Sequence, residues 1–407
     1  MKRSLFFLIF ALCLFSTVYA KSLSVSTRAE KAILLNPENG AILYEKKAHQ
    51  PHVPASLTKI VTGLYLLDHL QPSLKARCVA SQEALEVIHA DIRQADITKY
   101  PSYILEHDGT MMGLSVGHSY CLETLLYALL LNSSNDAANV LAETTAGSIP
   151  TFVQGMNQYL MNLGFTQTSF QNPSGFYHPA QWTTAYEMAK IAGIAFRNPI
   201  FSKIIQTTVY EEDPVKKITT YNRMMKEGKY QYTKAIGAKT GYLESSGYNL
   251  VAAAEDGGRL LIGVVLGCKT SNERYEDLIA LFEAAFAEKK QARLLFTEGA
   301  EFQREIEDST LKAGLKNKVE LDYFPSEEGE MEAKVVWYQV KLPIAVGAQV
   351  GELNVTNEHG YQLASAPLLA LNEVQAKGSS MWMLILTAAV LIGIVVFAVG
   401  KKRRKLF

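Results

Sequence analysis

The sequence predicts an α+β chain: an antiparallel sheet with strands from both sides of a helical lobe, a small all-β domain, and one C-terminal transmembrane helix. Three observations carry this. Two hairpin-like segments, 31–50 and 248–268, bracket a run of helix-like segments. Strand-like pieces dominate after about residue 290. Met381–Gly400 then runs for 20 residues without a charge, long enough at roughly 1.5 Å per residue to cross a bilayer core of about 30 Å.

The first twenty residues pair Lys2 and Arg3 with an apolar run and with Val18 and Ala20 at small-residue cleavage positions. That is the pattern of an export signal cut after Ala20. The apolar run is short for a membrane span. Leu12 before Cys13 argues against lipidation, which needs a small residue there. "KAILLNPENGAILYEKKAHQ" gives two strands around Asn39-Gly40, a hairpin turn signal. "SLTKIVTGLYLLDHL" follows Pro54 and is apolar nearly all round, as expected of a buried helix, with Ser56 at its start as a candidate cap. "LETLLYALLLNSSNDAANVLAETTAG" reads as two helices broken at Asn132–Asn135, and "TTAYEMAKIAGIAF" as another. A second hairpin turns at Asp256-Gly257-Gly258, and "ERYEDLIALFEAAFAE" is an amphipathic helix.

The expected organisation is therefore a signal over 1–20, a first domain over 21–290, a β domain over 291–375, a linker over 376–380, the transmembrane helix over 381–400 and a basic cytoplasmic tail over 401–407. "KKRRK" immediately after the span keeps that end in the cytoplasm and the bulk of the chain outside it. A formal net charge of +0 argues against nucleic acid as a partner. With the leader removed, Cys78, Cys121 and Cys268 remain. The strand-like settings of Cys78 and Cys121 allow a bridge, while the odd count favours three buried thiols.

The chemistry centres on Ser56 and Lys59, which share a face of the predicted helix at i and i+3. Serine is a weak nucleophile that needs a base, and lysine serves as one when burial and a nearby positive charge lower its pKa. An all-apolar helix supplies the burial, and its N-terminus offers N–H groups to developing negative charge. The plainer readings are an N-cap for Ser56 and a snorkelling lysine for Lys59. The same spacing recurs at "STLK", Ser309 to Lys312, within the strand-rich region, so the pair is weak alone. It gains weight from "SSND" at Ser133–Asp136, between two helices, and "KTG" at Lys239–Gly241, opening a strand.

An SxxK, SxN and KTG set in this order resembles the penicillin-recognising serine acyltransferases. Within them the chain is similar to the low-molecular-weight D-alanyl-D-alanine carboxypeptidases, over 27 to about 375. The likeness extends through "AILLNPENGAILYEKKAHQPHVPASLTKIVT", "GLSVGHSYCLETLLYALLLNSSNDAANVLAE", "AIGAKTGYLESSGYNLVAAA" and "LPIAVGAQVGELNV". It implies a β-lactamase/transpeptidase-like first domain, Ser56 as acylated nucleophile and Lys59 as base. It also implies Ser133 and Lys239 as proton relay or charge stabiliser, and Asn135 on the substrate amide. Thr240 and Gly241 would line the docking strand, the N–H groups of Ser56 and Tyr242 would form the oxyanion hole, and Arg274 would meet the terminal carboxylate. The implied partners are peptidoglycan stem peptides ending in D-Ala-D-Ala and β-lactams as covalent inhibitors, with no cofactor. Leu243 departs from the small hydroxyl residue usual in the family, and "VIHADIRQADITKYPSYILEHDG" is longer than usual, with no family role carried onto it.

Other functions are less well supported. His49, His52, His69, His89, His107, His118, His178 and His359 form no HExxH or HxxxH pair, which disfavours zinc peptidase chemistry. No Glu-x-x-Leu-Asn loop follows the second motif, which disfavours a class A β-lactamase. A membrane-anchored penicillin sensor or wall-binding protein remains as a different class, and endopeptidase or transpeptidase outcomes share the same acyl-enzyme.

Overall fold

The computed structural model describes residues 13–14, 22–211 and 217–376. The expected membrane helix 381–400, the basic tail and all of the expected signal except Cys13–Leu14 lie outside the described residues. Among the described residues, no helix is long and apolar enough to cross a membrane.

Two compact units divide the chain. One comprises Tyr19–Lys290 and also takes in Phe324–Glu328. Its centre is a five-stranded antiparallel sheet made of β1 (Lys31–Leu35), β2 (Ile42–Lys46), β3 (Ala235–Leu243), β4 (Gly247–Asp256) and β5 (Arg259–Cys268). The spatial order is β3-β4-β5-β1-β2, so the two hairpins meet where β5 pairs with β1, Val264 opposite Ile33.

Alternation along the strands explains the layers on either side. Ile33, Leu35, Val251, Ala253, Ile262 and Val264 face one core, shared with the helical lobe. Ala32, Leu34, Leu250, Ala252, Leu261 and Val265 face the other, shared with Tyr275, Leu278, Leu281 and Phe282 of the helix Glu273–Phe286. Both faces are covered, and so the strands read as continuous apolar runs rather than alternating ones.

The lobe is built around α1 (Thr58–Leu64), every residue of which is buried. It follows a 3₁₀ turn, Ala55–Leu57, and continues as a π-helical stretch, Tyr65–Leu70. It packs against α2 (Leu122–Leu131) and α4 (Ala185–Arg197), with three residues separating the end of α2 from the start of α3 (Asn135–Ala146). The helices Ile149–Asn162 and Pro199–Gln206 are additions that the sequence reading did not single out. Each is opened by a polar cap, Ser148 and Asn198, with proline in the first turn. Cys78 and Cys121 lie on paired strands, but Cys78 is opposite Tyr120 and Cys121 opposite Arg77. That offset turns the two thiols to opposite faces, and Cys78, Cys121 and Cys268 are free.

The second unit holds Gln291–Tyr323 and the chain from Gly329, and is all β over its described residues. Its main sheet runs, in spatial order, through Met331–Trp337, Gln349–Asn357, Gln362–Ala370, Ser309–Leu315 and Glu301–Ile306, with Cys13–Leu14 paired to the outer edge of the first of these. "STLK" falls on the strand Ser309–Leu315, where residues three apart point to opposite faces, so Ser309 and Lys312 cannot act together. Phe324–Glu328 belongs to the first unit for a visible reason. Arg259 pairs with Glu327 at 2.7 Å and lies 3.7 Å from the Phe324 ring, and Asn36 and Asn39 donate to Glu327.

Candidate active site

Three parts of the first unit converge. The turn before α1 brings Ser56, the α2–α3 junction brings Ser133 and Asn135, and β3 brings Lys239 to Tyr242. Two of the joints use backbone conformations that side chains disfavour. Ala55, immediately before Ser56, has φ +49°, and Ser133 has φ +65°. Strain of this kind, of order 1–3 kcal/mol per residue, persists where surrounding structure overdetermines it.

Ser56 does not cap the helix, contrary to the sequence expectation. The 3₁₀ turn moves the helix start to Thr58, and the cap position falls to Leu57, with no side-chain capping bond. The Ser56 hydroxyl instead faces Lys59 Nζ at 3.1 Å.

Lys59 is fully buried. Its Nζ donates to Asn135 Oδ1 at 2.7 Å and to the Ser174 carbonyl at 2.5 Å. Both partners are acceptors only. A neutral amine satisfies them with its two N–H groups and turns its lone pair to the Ser56 hydroxyl. Burial drives the lysine pKa well below its ordinary value, and the charge of Lys239 pushes the same way against the opposing pull of Asp136. Lys239 is also buried. Its Nζ donates to Ser133 Oγ at 2.8 Å and to the Thr240 carbonyl at 3.0 Å. Burial, with Arg274 adding to it, lowers its pKa to about 7.

Strand β3 comes unusually close to the nucleophile. A Cβ on Gly241 would sit 3.2 Å from Ser56 N and 3.0 Å from the Pro54 carbonyl, so glycine lets the backbones approach. Gly175 does the same from the other side, since a Cβ there would fall 2.0 Å from the Ala55 carbonyl. Tyr242 is half exposed and stacks on Tyr248 at 4.3 Å. Leu243 is half-buried, and its N–H donates to Ser246 Oγ at 3.1 Å.

Arg274 is less open than its predicted role suggests. It is 8% exposed, and Nη1 donates to the Gly241 and Asn249 carbonyls, each at 3.4 Å. Its guanidinium lies 5.4 Å from the Tyr248 ring and 5.0 Å from that of Tyr275. It therefore braces β3 and delivers its charge to Lys239.

Several contributors carried no sequence signal of their own. The Ser174 carbonyl is a backbone group, fixed because Asn172 Oδ1 accepts from Gly175 N and Ser174 Oγ. The turn composition of "NPSG" is the trace it leaves in the sequence. Asp136 accepts from the N–H groups of Met112, Gly113 and Leu114, anchoring the chain beside Asn135. His52, just ahead of the nucleophile, is a brace. Its Nε2 faces the Ser246 carbonyl at 3.0 Å and Asn249 Oδ1 at 3.2 Å, so that nitrogen carries the proton, and Nδ1 accepts from Lys31 Nζ at 3.1 Å. Burial and then Lys31 lower its pKa, which keeps the ring neutral. Among the described residues no group of three His, Cys, Asp or Glu side chains is placed to hold a metal ion.

Comparison with known proteins gives consistent matches. The peptidase S11 family profile, described as D-alanyl-D-alanine carboxypeptidase, matches residues 17–270. The chain is 27% identical to the D-alanyl-D-alanine carboxypeptidase DacF of Bacillus subtilis, over 86% of this chain and 87% of that one. It is 29% identical to DacA of Haemophilus influenzae, over 86% of each. Among solved structures, penicillin binding protein 5 from Haemophilus influenzae superposes with a TM-score of 0.62 at 25% identity, over 88% of this chain and 100% of that one.

The buried lysines make a prediction about stability. The folded pKa of Lys239, about 7, lies below its ordinary 10.5, so the native state resists a proton that the unfolded chain takes up. The resulting destabilisation is full below about pH 7 and fades as pH rises toward the unfolded value. Lys239→Met should therefore raise the melting temperature more at pH 6 than at pH 9.5, while impairing acylation. Equal shifts at the two pH values in thermal unfolding would show that the fold does not lower the pKa of Lys239.

Proposed function

The chain belongs to the peptidase S11 family of D-alanyl-D-alanine carboxypeptidases, and from that membership we propose how its residues release the terminal D-alanine of a stem peptide. The protein is a serine-type D-Ala-D-Ala carboxypeptidase. The observation that carries the residue assignment is the convergence on Lys59 Nζ of Ser56 Oγ and two acceptor-only oxygens.

Lys59, neutral, takes the Ser56 proton as Oγ attacks the carbonyl carbon of the penultimate D-alanine. The oxygen that becomes negative is received by the N–H groups of Ser56 and Tyr242, a position that the close approach at Gly241 favours. The peptide lies along β3 as an added strand, beside Thr240 and Gly241, with Asn135 on its amide. The leaving amine takes a proton through Ser133, which Lys239 holds at 2.8 Å. Arg274 supplies positive charge for the terminal carboxylate from the side of the helix Glu273–Phe286. The bond to D-alanine breaks, an ester to Ser56 remains, and water hydrolyses it to regenerate the serine. A β-lactam acylates the same hydroxyl by opening its ring.

Incubating the chain with a peptide ending in D-Ala-D-Ala and assaying free D-alanine tests this. Release should vanish in Ser56→Ala and fall by about 10²–10⁴-fold in Lys59→Ala, the range for loss of a general base. Release by Ser56→Ala at the wild-type rate would remove Ser56 from the mechanism.

We further propose that the chain is exported and held in the cell membrane by 381–400, with its enzymatic unit outside the cytoplasm. The uncharged stretch followed by "KKRRK" supports this. In cell fractionation, the whole chain should stay with membranes through a high-salt wash, and a chain ending at residue 377 should be released. Identical behaviour of the two would contradict the anchor.

A further inference from the structure

A buried charge that the mechanism does not use lies beside the site. Arg93 sits in the short helix Ala90–Ala95, inside the long segment before Asn135, and its side chain is 3% exposed. Nη1 donates to Glu106 Oε1 at 2.6 Å, and Nη2 donates to the carbonyls of Ser102 and Tyr177, each at 3.0 Å. The guanidinium stands 5.4 Å from the Phe176 ring. This one side chain thus ties the segment 102–106 to the backbone at 176–177.

That backbone is the far end of the turn that presents the Ser174 carbonyl to Lys59. The Phe176 carbonyl is held by Asn172 and Gln181 side chains, so the turn is stiff, and displacing 176–177 displaces Ser174. The long segment also reaches the site directly. Asn135 N donates to the Thr110 carbonyl at 2.8 Å, and a Cβ on Gly109 would lie 2.9 Å from Asn135 Nδ2 and 3.2 Å from the Phe176 ring. Both acceptors of the Lys59 amine are therefore backed by the segment that Arg93 pins.

We propose that Arg93 is a positioning residue for acyl transfer, clamping the 176–177 backbone to segment 102–106 so that the Ser174 carbonyl and Asn135 stay against Lys59 and water stays away from its amine. The inference rests on the roles given above to Ser56 and Lys59. Charged groups that act on Lys59 are Lys239 and Asp136, and those around Arg93 are Glu106 and His178, neither of which touches the amine. Releasing the clamp leaves the charges on Lys59 in place and changes its hydration, which favours the ammonium form.

The test is the second-order rate of Ser56 labelling by a fluorescent penicillin from pH 5.5 to 9.5, on the full chain as wild type, Arg93→Ala and Arg93→Lys. For Arg93→Ala the acid limb should move up by about one pH unit and labelling at pH 7 should fall about tenfold, as one unit in a base's pKa requires, with most of the rate recovered at pH 9.5. Arg93→Lys keeps one donor for Glu106 and cannot span both carbonyls, so its limb should fall between the two. It decides the matter if Arg93→Ala does not fold. Acid limbs that coincide with wild type, whatever the change in melting temperature, would reduce Arg93 to a structural tie and overturn the proposal. Failure of the wild type to label at Ser56 would overturn the assignment of the site itself, before any variant is compared.

Discussion

A lysine side chain sealed away from water is the constraint around which the rest of this protein is arranged. Lys59 is fully buried in a helix with no exposed face, and its amine is within reach of Ser56. Taking such a charge out of water without full compensation costs several kcal/mol, and the group escapes that cost by giving up its proton. The two oxygens nearest to it, from Asn135 and Ser174, are neutral acceptors rather than carboxylates. A carboxylate in either place would stabilise the ammonium and spoil the base. Asp136, the acidic group whose charge acts on it, is already engaged by four backbone N–H groups.

The fold provides this by surrounding α1 on all sides. Helices α2 and α4 pack around it, and β3 closes the remaining side where Gly241 permits contact with the Ser56 backbone. The left-handed conformations at Ala55 and Ser133 are the local cost of bringing a turn, a helix junction and a strand edge to one point. The same sheet that carries β3 is buried on both faces, which makes it a rigid support for the site. The His52–Asn249 brace extends that support to the residues just before the nucleophile, since Asn249 Nδ2 donates to the Val53 carbonyl.

What was legible in the sequence was what side-chain pattern records. The apolar surround of α1, the hairpin turns, the break between α2 and α3 and the strand after Lys239 are periodicity and turn chemistry, and the structure has each of them. Ser56, Lys59, Ser133, Asn135 and Lys239 were visible as residue types, and the hydrogen bonds among these five join positions up to 106 apart. Ser56 as a helix cap was misread, because a 3₁₀ turn before the helix is set by contacts with β3 and Gly175 and not by local propensity. The Ser174 carbonyl was invisible because a backbone oxygen has no residue signature. Arg93 was invisible because two of its three partners are backbone carbonyls, one of them 84 positions away. The segment 324–328 joins the first unit through pairing of Glu327 with Arg259, a contact between residues 68 apart that no local pattern encodes.

The central claim is that burial holds the pKa of Lys59 well below its ordinary value, so that its amine can act as the base for Ser56. The most direct measurement is the titration of its side chain by NMR, using lysine labelled with ¹³C at Cε and assigning the resonance by its loss in Lys59→Met. The account predicts a midpoint well below the ordinary 10.5. A Lys59 resonance that titrates at the ordinary lysine value would contradict it.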